Sequence, residues 1–137
     1  MDFGGISYVG VLVATVAGFV IGAVYYGALG KPWMKAARVK PEEAKMSPAL
    51  FVNALICELI MAFILAGLIG HPGTGQINPY NGLVSGFFVW LGFVATTLAV
   101  NHRYQDFGWD LTLIDGGHWL LVLLAMGAII GWFGPWD

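Results

Sequence analysis

One carboxylate in the middle of a long apolar segment is the residue of this sequence whose position most clearly suggests a chemical role. Glu58 lies within 48–69, which reads PALFVNALICELIMAFILAGLI and holds no other charged residue. A helix of this length spans about 33 Å, roughly the hydrocarbon core of a bilayer. An ionisable side chain at that depth is costly and usually faces the interior of a helix bundle. Ala54, Ala62 and Ala66 share its i, i+4 stripe, and such small residues allow helices to approach closely.

Polar residues from several apolar segments fall at similar depths. A rise of 1.5 Å per residue places Glu58 about 15 Å and His118 about 12 Å from the same end of the expected bundle. Asp115 and Asn53 lie about 7 Å in, and Thr97 about 6–8 Å in. We therefore hypothesise a buried cluster of these five residues, centred on Glu58 and His118, that holds a ligand or relays protons. The alternative is a structural hydrogen-bond network that fixes helix register.

The composition is typical of a membrane protein. Of the 137 residues, 58% are hydrophobic and only 10% are charged, whereas soluble domains carry about 25% charged residues. A soluble fold of this size could not bury so much apolar surface, so lipid must cover part of it. The sequence has no basic field for nucleic acid, and the single cysteine, Cys57, excludes an internal disulfide.

The apolar segments predict an all-α membrane protein, a four-transmembrane-helix up-down bundle that forms a single domain over 1–137. The expected spans are 6–29, 48–69, 79–101 and 111–133. Gly30 and Pro32 are expected to end the first span, since proline cannot continue a helix. No basic residue precedes this span, so we expect it to be retained rather than cleaved as a signal.

The basic residues predict the orientation of the bundle. All of them lie in the first and third loops: Lys31, Lys35, Arg38, Lys40, Lys45 and Arg103. By the positive-inside rule, loops one and three are cytoplasmic and both termini are outside. The expected location is the bacterial inner (cytoplasmic) membrane, with a multi-pass arrangement and the lipid bilayer as the surrounding partner.

The sequence predicts no catalytic residue, metal or cofactor. It has no Gly-rich phosphate loop, Ser/His/Asp set or nucleophile elbow. Glu58, Asp115 and His118 could offer three metal ligands, but nothing in the sequence makes them converge, and the Glu-x-x-His pattern of di-iron bundles is absent. His71 and His102 are expected to be solvated loop residues.

Small residues at i, i+4 spacing predict helix-packing faces on two spans. Gly18 and Gly22 form one pair on the first span, and Gly82 and Gly86 form another on the third. This pattern lets transmembrane helices pack closely. It favours self-association into a homo-oligomer, or association with another membrane subunit.

Three stretches resemble one family of small bacterial membrane proteins. They are 18–34 (GFVIGAVYYGALGKPWM), 86–101 (GFFVWLGFVATTLAVN) and 113–131 (LIDGGHWLLVLLAMGAIIG). The tyrosine-containing end of the first span followed by GKPWM is the most specific part. The chain is similar to the family called domain of unknown function seventeen-sixty-one. The resemblance implies a four-span inner-membrane protein with no settled activity, substrate or cofactor, so no functional residue can be carried over.

The sequence favours a small polytopic protein of uncharacterised role: a non-enzymatic helix-packing or accessory module able to self-associate. One alternative is a proton-linked carrier or channel for a small solute that uses buried Glu58 and His118. A second is a membrane enzyme acting on a lipid or quinone-like substrate. That enzyme would need a pocket open sideways near Trp33 or Trp119, and a tightly packed interior would exclude it.

Overall fold

The computed structural model describes residues 3–135, and over that range its regular structure is helical. The four long helices are α1 (Tyr8–Ala37), α2 (Pro48–Gly70), α3 (Pro79–Tyr104) and α4 (Trp109–Phe133). Each is long and apolar enough to cross a membrane, by length and composition. The predicted all-α fold with four such helices is therefore confirmed. The side of the membrane on which each loop lies stays a prediction.

Polar caps and prolines define where three of the helices begin. Ser7 accepts a hydrogen bond from the backbone at the start of α1, at 3.1 Å. Ser47 and Asn78 do the same for α2 and α3, and each is followed by a proline, Pro48 or Pro79. Side-chain acceptors satisfy the free N–H groups of a first helical turn, and proline there needs no N–H partner.

Helix α1 is longer than predicted, and the expectation that it ends at Gly30 was wrong. The backbone leaves helical values at Leu29 (φ −104°, ψ 16°) and then continues as helix through Pro32. Proline removes one i to i−4 hydrogen bond and crowds the preceding turn, so it kinks this helix without stopping it. The helix ends at Arg38, which has a left-handed backbone with φ of 58° and bonds back to the last turn.

Helix α4 is the centre of the bundle. It packs most extensively against α3 and α1, while α2 packs mainly against α1 and less against α4. The largest fully buried side chains all belong to α4: Val122, Leu123, Met126 and Ile130. Much of the outward surface of the other helices is apolar and exposed, with only 6% of the most apolar part of α3 buried. Exposed apolar surface of this extent is typical of proteins that contact a membrane or other proteins.

Glycines bring α3 and α4 into backbone contact. A Cβ added at Gly82 would overlap the carbonyl of Gly127, and one added at Gly127 would overlap the carbonyl of Gly82. One turn further along α3, a Cβ at Gly86 would overlap the carbonyl of Leu123. The glycine pair predicted on the third span thus packs against a helix of the same chain.

The two basic connections lie at the same end of the bundle. Arg38 donates a hydrogen bond to the carbonyl of Asp106, and its guanidinium carbon lies 5.1 Å from the centre of the Phe107 ring. At the other end, Ile6 and Pro135 form an isolated antiparallel bridge between the two ends of the described chain. All six basic residues are therefore at the end opposite this bridge.

The α3–α4 contact leads to a stability prediction. We expect Gly82→Val to lower the free energy of unfolding by at least about 1–3 kcal/mol, since the added side chain forces the two backbones apart. Gly92→Val on the same helix is the control, because a Cβ at Gly92 meets no atom within 4 Å. Denaturation of both variants in detergent checks this. Equal stability of the two variants would contradict the packing described here.

Candidate functional site

A cavity of about 770 Å³ lies between α1 and α2 and reaches α4. Its walls are mainly apolar and aromatic, and they extend to Ala44 and Met46 in the connection between the two helices. Besides the indole N–H groups of two tryptophans, the side chains that bring polar groups to its lining are few: Tyr26, Glu58, Asp115 and His118. The cavity thus combines a long apolar wall with one small polar region.

Glu58 reaches the cavity from α2 and is 4% exposed. Its Oε2 atom is buried and has no hydrogen-bond partner among residues 3–135. That oxygen lies close to α1 at Gly18, where an added Cβ would be 3.0 Å from it. The missing side chain of Gly18 is what allows the carboxylate to lie against α1.

His118 reaches the same cavity from α4 and is 5% exposed. Neither ring nitrogen has a hydrogen-bond partner within the described range 3–135. Aromatic contacts hold the ring instead, with centroid distances of 4.8 Å to Tyr26 and 4.5 Å to Trp119. An added Cβ at Gly22 would lie 3.1 Å from Nε2. The imidazole is therefore fixed in place with its hydrogen-bonding capacity unused.

Glu58 and His118 face the cavity from different helices, and no ion pair or hydrogen bond found over residues 3–135 joins them. Glu58 lies against Gly18 of α1, and His118 lies against Gly22, one turn further along. Four residues of helix correspond to about 6 Å. The two side chains therefore approach α1 at positions one helical turn apart.

Asp115 belongs to a polar chain that leads from the cavity to the basic end of the bundle. Tyr26 donates its hydroxyl hydrogen to Asp115 Oδ1 at 2.7 Å. His102 Nε2 lies 3.7 Å from Asp115 Oδ2, and its Nδ1 lies 2.9 Å from the hydroxyl of Thr112. Arg103 donates to that same hydroxyl at 2.6 Å. Asp115, unlike Glu58, is thus supported by neighbours within the protein.

Hydrogen bonds from two other helices fix the backbone of α4 beside Asp115. The hydroxyl of Tyr25 donates to the carbonyl of Ile114 at 2.6 Å, from α1. The indole of Trp90 donates to the carbonyl of Gly116 at 2.8 Å, from α3. Trp90 opens a π-helical turn, Trp90–Ala95, and such turns are frequent near functional sites. Hydrogen bonds from α1 and α3 therefore fix the segment of α4 that carries Asp115 into the cavity.

The structure brings Glu58, His118 and Asp115 to one cavity and leaves Asn53 and Thr97 outside it. Asn53 is exposed, because five residues along a helix turn it about 140° away from Glu58. Thr97 is also exposed and donates its hydroxyl hydrogen to the carbonyl of Phe93 in its own helix. The cluster is therefore smaller than the sequence predicted.

Sequence reasoning missed two residues of the site, His102 and Tyr26. His102 was predicted to be a solvated loop residue, and that was wrong: it is 7% exposed because α3 continues to Tyr104. One signal could have revealed this, since no glycine or proline interrupts the sequence between Gly92 and Gly108. His71, the other predicted loop histidine, is exposed.

A metal ion finds no ready site in the part of the chain that the structure describes. Among residues 3–135, no group of three or more His, Cys, Asp or Glu side chains is arranged to hold one. Asp115 and His118 share the cavity with Glu58, but these three do not form such a group. The chemistry that the site offers is hydrogen bonding, proton exchange and charge pairing by a carboxylate and an imidazole.

The fold is a small bundle of four helices long and apolar enough to cross a membrane, with a cavity between α1, α2 and α4. The family model described as "Protein of unknown function (DUF1761)" matches residues 9–131. The chain belongs to this family. A search of curated proteins and a search of solved structures each gave no match. Because the family description assigns no activity, the function has to be argued from the cavity.

The burial of His102 can be tested directly. We expect His102→Ala to lower the free energy of unfolding by about 1–3 kcal/mol, because it removes a buried ring together with its hydrogen bond to Thr112 and its contact with Asp115. His71→Ala removes an exposed imidazole and should change stability by no more than about 0.5 kcal/mol. Chemical denaturation in detergent micelles measures both. A His102→Ala variant as stable as His71→Ala would contradict the hydrogen bonds assigned to His102.

The bond between Tyr26 and Asp115 gives a second prediction. In a double-mutant cycle with Tyr26→Phe and Asp115→Ala, we expect a coupling free energy of about 0.5–3 kcal/mol, since both variants remove the same contact. Tyr25→Phe with Asp115→Ala is the control cycle, because Tyr25 donates to a backbone carbonyl instead. Unfolding free energies of the single and double variants give both values. A coupling no larger for Tyr26 than for Tyr25 would contradict the assignment.

Proposed function

We propose that this protein is a multi-pass membrane protein that binds a small amphiphilic molecule in the cavity between α1 and α2 and acts as a carrier for it. One observation carries the proposal: Glu58 and His118 are buried at this cavity without hydrogen-bond partners among residues 3–135. Leaving a buried polar group unpaired costs about 1–3 kcal/mol. A ligand whose head group bonds to both side chains removes that cost, which gives it affinity for this place.

The size and lining of the cavity support an amphiphilic ligand. Its volume of about 770 Å³ is within the range of about 300–1,000 Å³ typical of small-molecule sites. Most of the lining is apolar and suits a hydrocarbon or aromatic body. Trp33 and Met46 border the cavity at the basic end, the level where a bilayer interface is expected. A ligand dissolved in the membrane would enter there.

The setting of this function is part of the proposal. We place the protein in the bacterial inner membrane, with the two basic connections in the cytoplasm and both termini outside, as the positive-inside rule favours. Glu58 and His118 are the groups able to exchange protons with the ligand during transport. Four spans are few to enclose a path, so we also propose a homo-oligomer, for which α3 offers a largely exposed apolar surface.

The cavity disfavours the helix-packing hypothesis and is compatible with the enzyme hypothesis. A module that only packs helices has no need of unpaired polar groups beside a void, and native proteins hold few such groups. The enzyme alternative required a pocket near Trp33 or Trp119, and both residues line the cavity. Conversion of the bound molecule is therefore the second candidate function, and the chemical form of the recovered ligand distinguishes it from carriage.

Filling the cavity tests the function. Gly27→Phe adds a ring to the cavity wall, and Gly92→Phe adds the same ring outside the cavity; a Cβ at either position meets no atom within 4 Å. After extraction in native-membrane nanodiscs, bound small molecules are identified by mass spectrometry. We expect one compound in the wild type and in Gly92→Phe, and at least about tenfold less in Gly27→Phe, a change of 1.4 kcal/mol.

The outcomes of this experiment separate the hypotheses. The same compounds in equal amounts in all three samples would overturn a ligand-binding function for the cavity. A recovered compound that is chemically altered only in the presence of wild-type protein would favour the enzyme. Flux of the recovered compound into proteoliposomes under a pH gradient would support the carrier, and unchanged flux in Glu58→Gln would remove Glu58 from its mechanism.

A further inference from the structure

We propose that the molecule held in the cavity is an organic cation with an apolar body, whose positive head group pairs with Glu58 and packs against aromatic rings. This inference rests on the proposed function and names the class of its ligand.

The two carboxylates that line the cavity differ in their partners. A buried carboxylate is costly unless a charge or several hydrogen-bond donors accompany it. Asp115 has the Tyr26 hydroxyl at 2.7 Å and the His102 imidazole at 3.7 Å. Glu58 Oε2 has no hydrogen-bond partner over residues 3–135, although it is equally part of the lining. Glu58 is therefore the group that lacks a counter-charge.

No lysine or arginine is among the described residues that line the cavity. Arg38 is bonded to the carbonyl of Asp106, and Arg103 is bonded to Thr112 and lies over Trp109, 3.9 Å from the ring centre. Both arginines thus make their contacts at the basic end. Among the described lining residues, two carboxylates face a single group able to become cationic, the His118 imidazole, and this excess of negative charge disfavours an anionic head group.

Five of the residues around the cavity are aromatic: Phe19, Tyr26, Trp33, Phe51 and Trp119. The rings of Tyr26 and Trp33 have centroids 6.1 Å apart, and those of Phe19 and Phe51 are 5.6 Å apart. The face of such a ring attracts a cation within about 6 Å, and sets of rings recognise quaternary ammonium groups. Aromatic faces and an unpaired carboxylate together favour an organic cation over a metal ion.

The length of the cavity sets the shape of the ligand. The lining follows α2 from Leu50 to Glu58, eight residues or about 12 Å of helix. A head group at Glu58 therefore leaves room for an apolar body that extends toward Met46. The ligand class is a lipophilic ammonium or phosphonium compound rather than a small inorganic ion.

Two probes of the same shape and opposite charge test this inference. Tetraphenylphosphonium and tetraphenylborate are each titrated against the wild type in phosphatidylcholine nanodiscs by equilibrium dialysis, and binding to empty nanodiscs is subtracted. We expect saturable binding of tetraphenylphosphonium, at least about tenfold tighter than that of tetraphenylborate, since one probe gains a buried charge pair and the other meets repulsion. This comparison needs no variant, so it stands even if a variant does not fold.

Matched variants locate the site. Glu58→Gln and Glu42→Gln each remove one carboxylate, and only Glu58 lines the cavity. We expect Glu58→Gln to weaken tetraphenylphosphonium binding at least about tenfold and Glu42→Gln to leave it unchanged. Glu58→Asp keeps the charge and should retain part of the affinity. Gly27→Phe should block the probe, which shows that it binds in the cavity.

Each result either supports or overturns the inference. Tighter binding of tetraphenylborate, or equal binding of both probes, would overturn it. So would tetraphenylphosphonium binding that neither Glu58→Gln nor Gly27→Phe reduces, because that is partition into lipid. If a neutral or anionic compound from the native membrane is lost in Gly27→Phe while tetraphenylphosphonium does not bind, the cation inference fails and the proposed function stands. If the cavity variant displaces nothing, both fail.

Discussion

A polar side chain among apolar helices needs a partner from inside the protein, and this constraint governs the arrangement of the bundle. Asp115 meets it through Tyr26 and His102, and the backbone of α4 beside it is bonded by Tyr25 and Trp90. These bonds come from the two helices that flank α4. Glu58 and His118 do not meet the constraint within residues 3–135, and both of them line the cavity.

Glycine residues occur both where two helices of the bundle are in close contact and where a cavity separates them. On the α3 side, Gly82 and Gly127 let two backbones touch, so no space is left there. On the α2 side, Gly22 and Gly27 line the cavity, and the volume their side chains would have filled belongs to it. The same residue type therefore builds a close contact on one face of the molecule and a void on another. Whether a glycine gives a close contact or a void depends on the residues of the neighbouring helix that face it.

The helices could be predicted from the sequence, and the site only in part. Length and hydropathy are enough for four helices, but proline inside an apolar helix kinks it and need not end it, so Pro32 misled the assignment of α1. The helical rise of 1.5 Å per residue gives the depth of a residue along the helix axis but not the direction of its side chain. Asn53 was therefore grouped with Glu58, although Asn53 faces away from it and is exposed. The cavity itself leaves no sequence signal, because it is space between helices whose tilt depends on contacts distant in the chain.

The kink in α1 makes Leu29 the residue at which this helix can bend. Bending in a helix concentrates where its hydrogen bonds are interrupted, and in α1 only Leu29 departs from helical backbone angles. The helical segment beyond Leu29, residues 30–37, is about 12 Å long. Trp33 and Met34 lie on that segment and border the cavity. A rotation of about 10° at Leu29 would move the far end of this segment by about 2 Å, so the width of the cavity beside Trp33 and Met34 depends on the torsion angles of a single leucine.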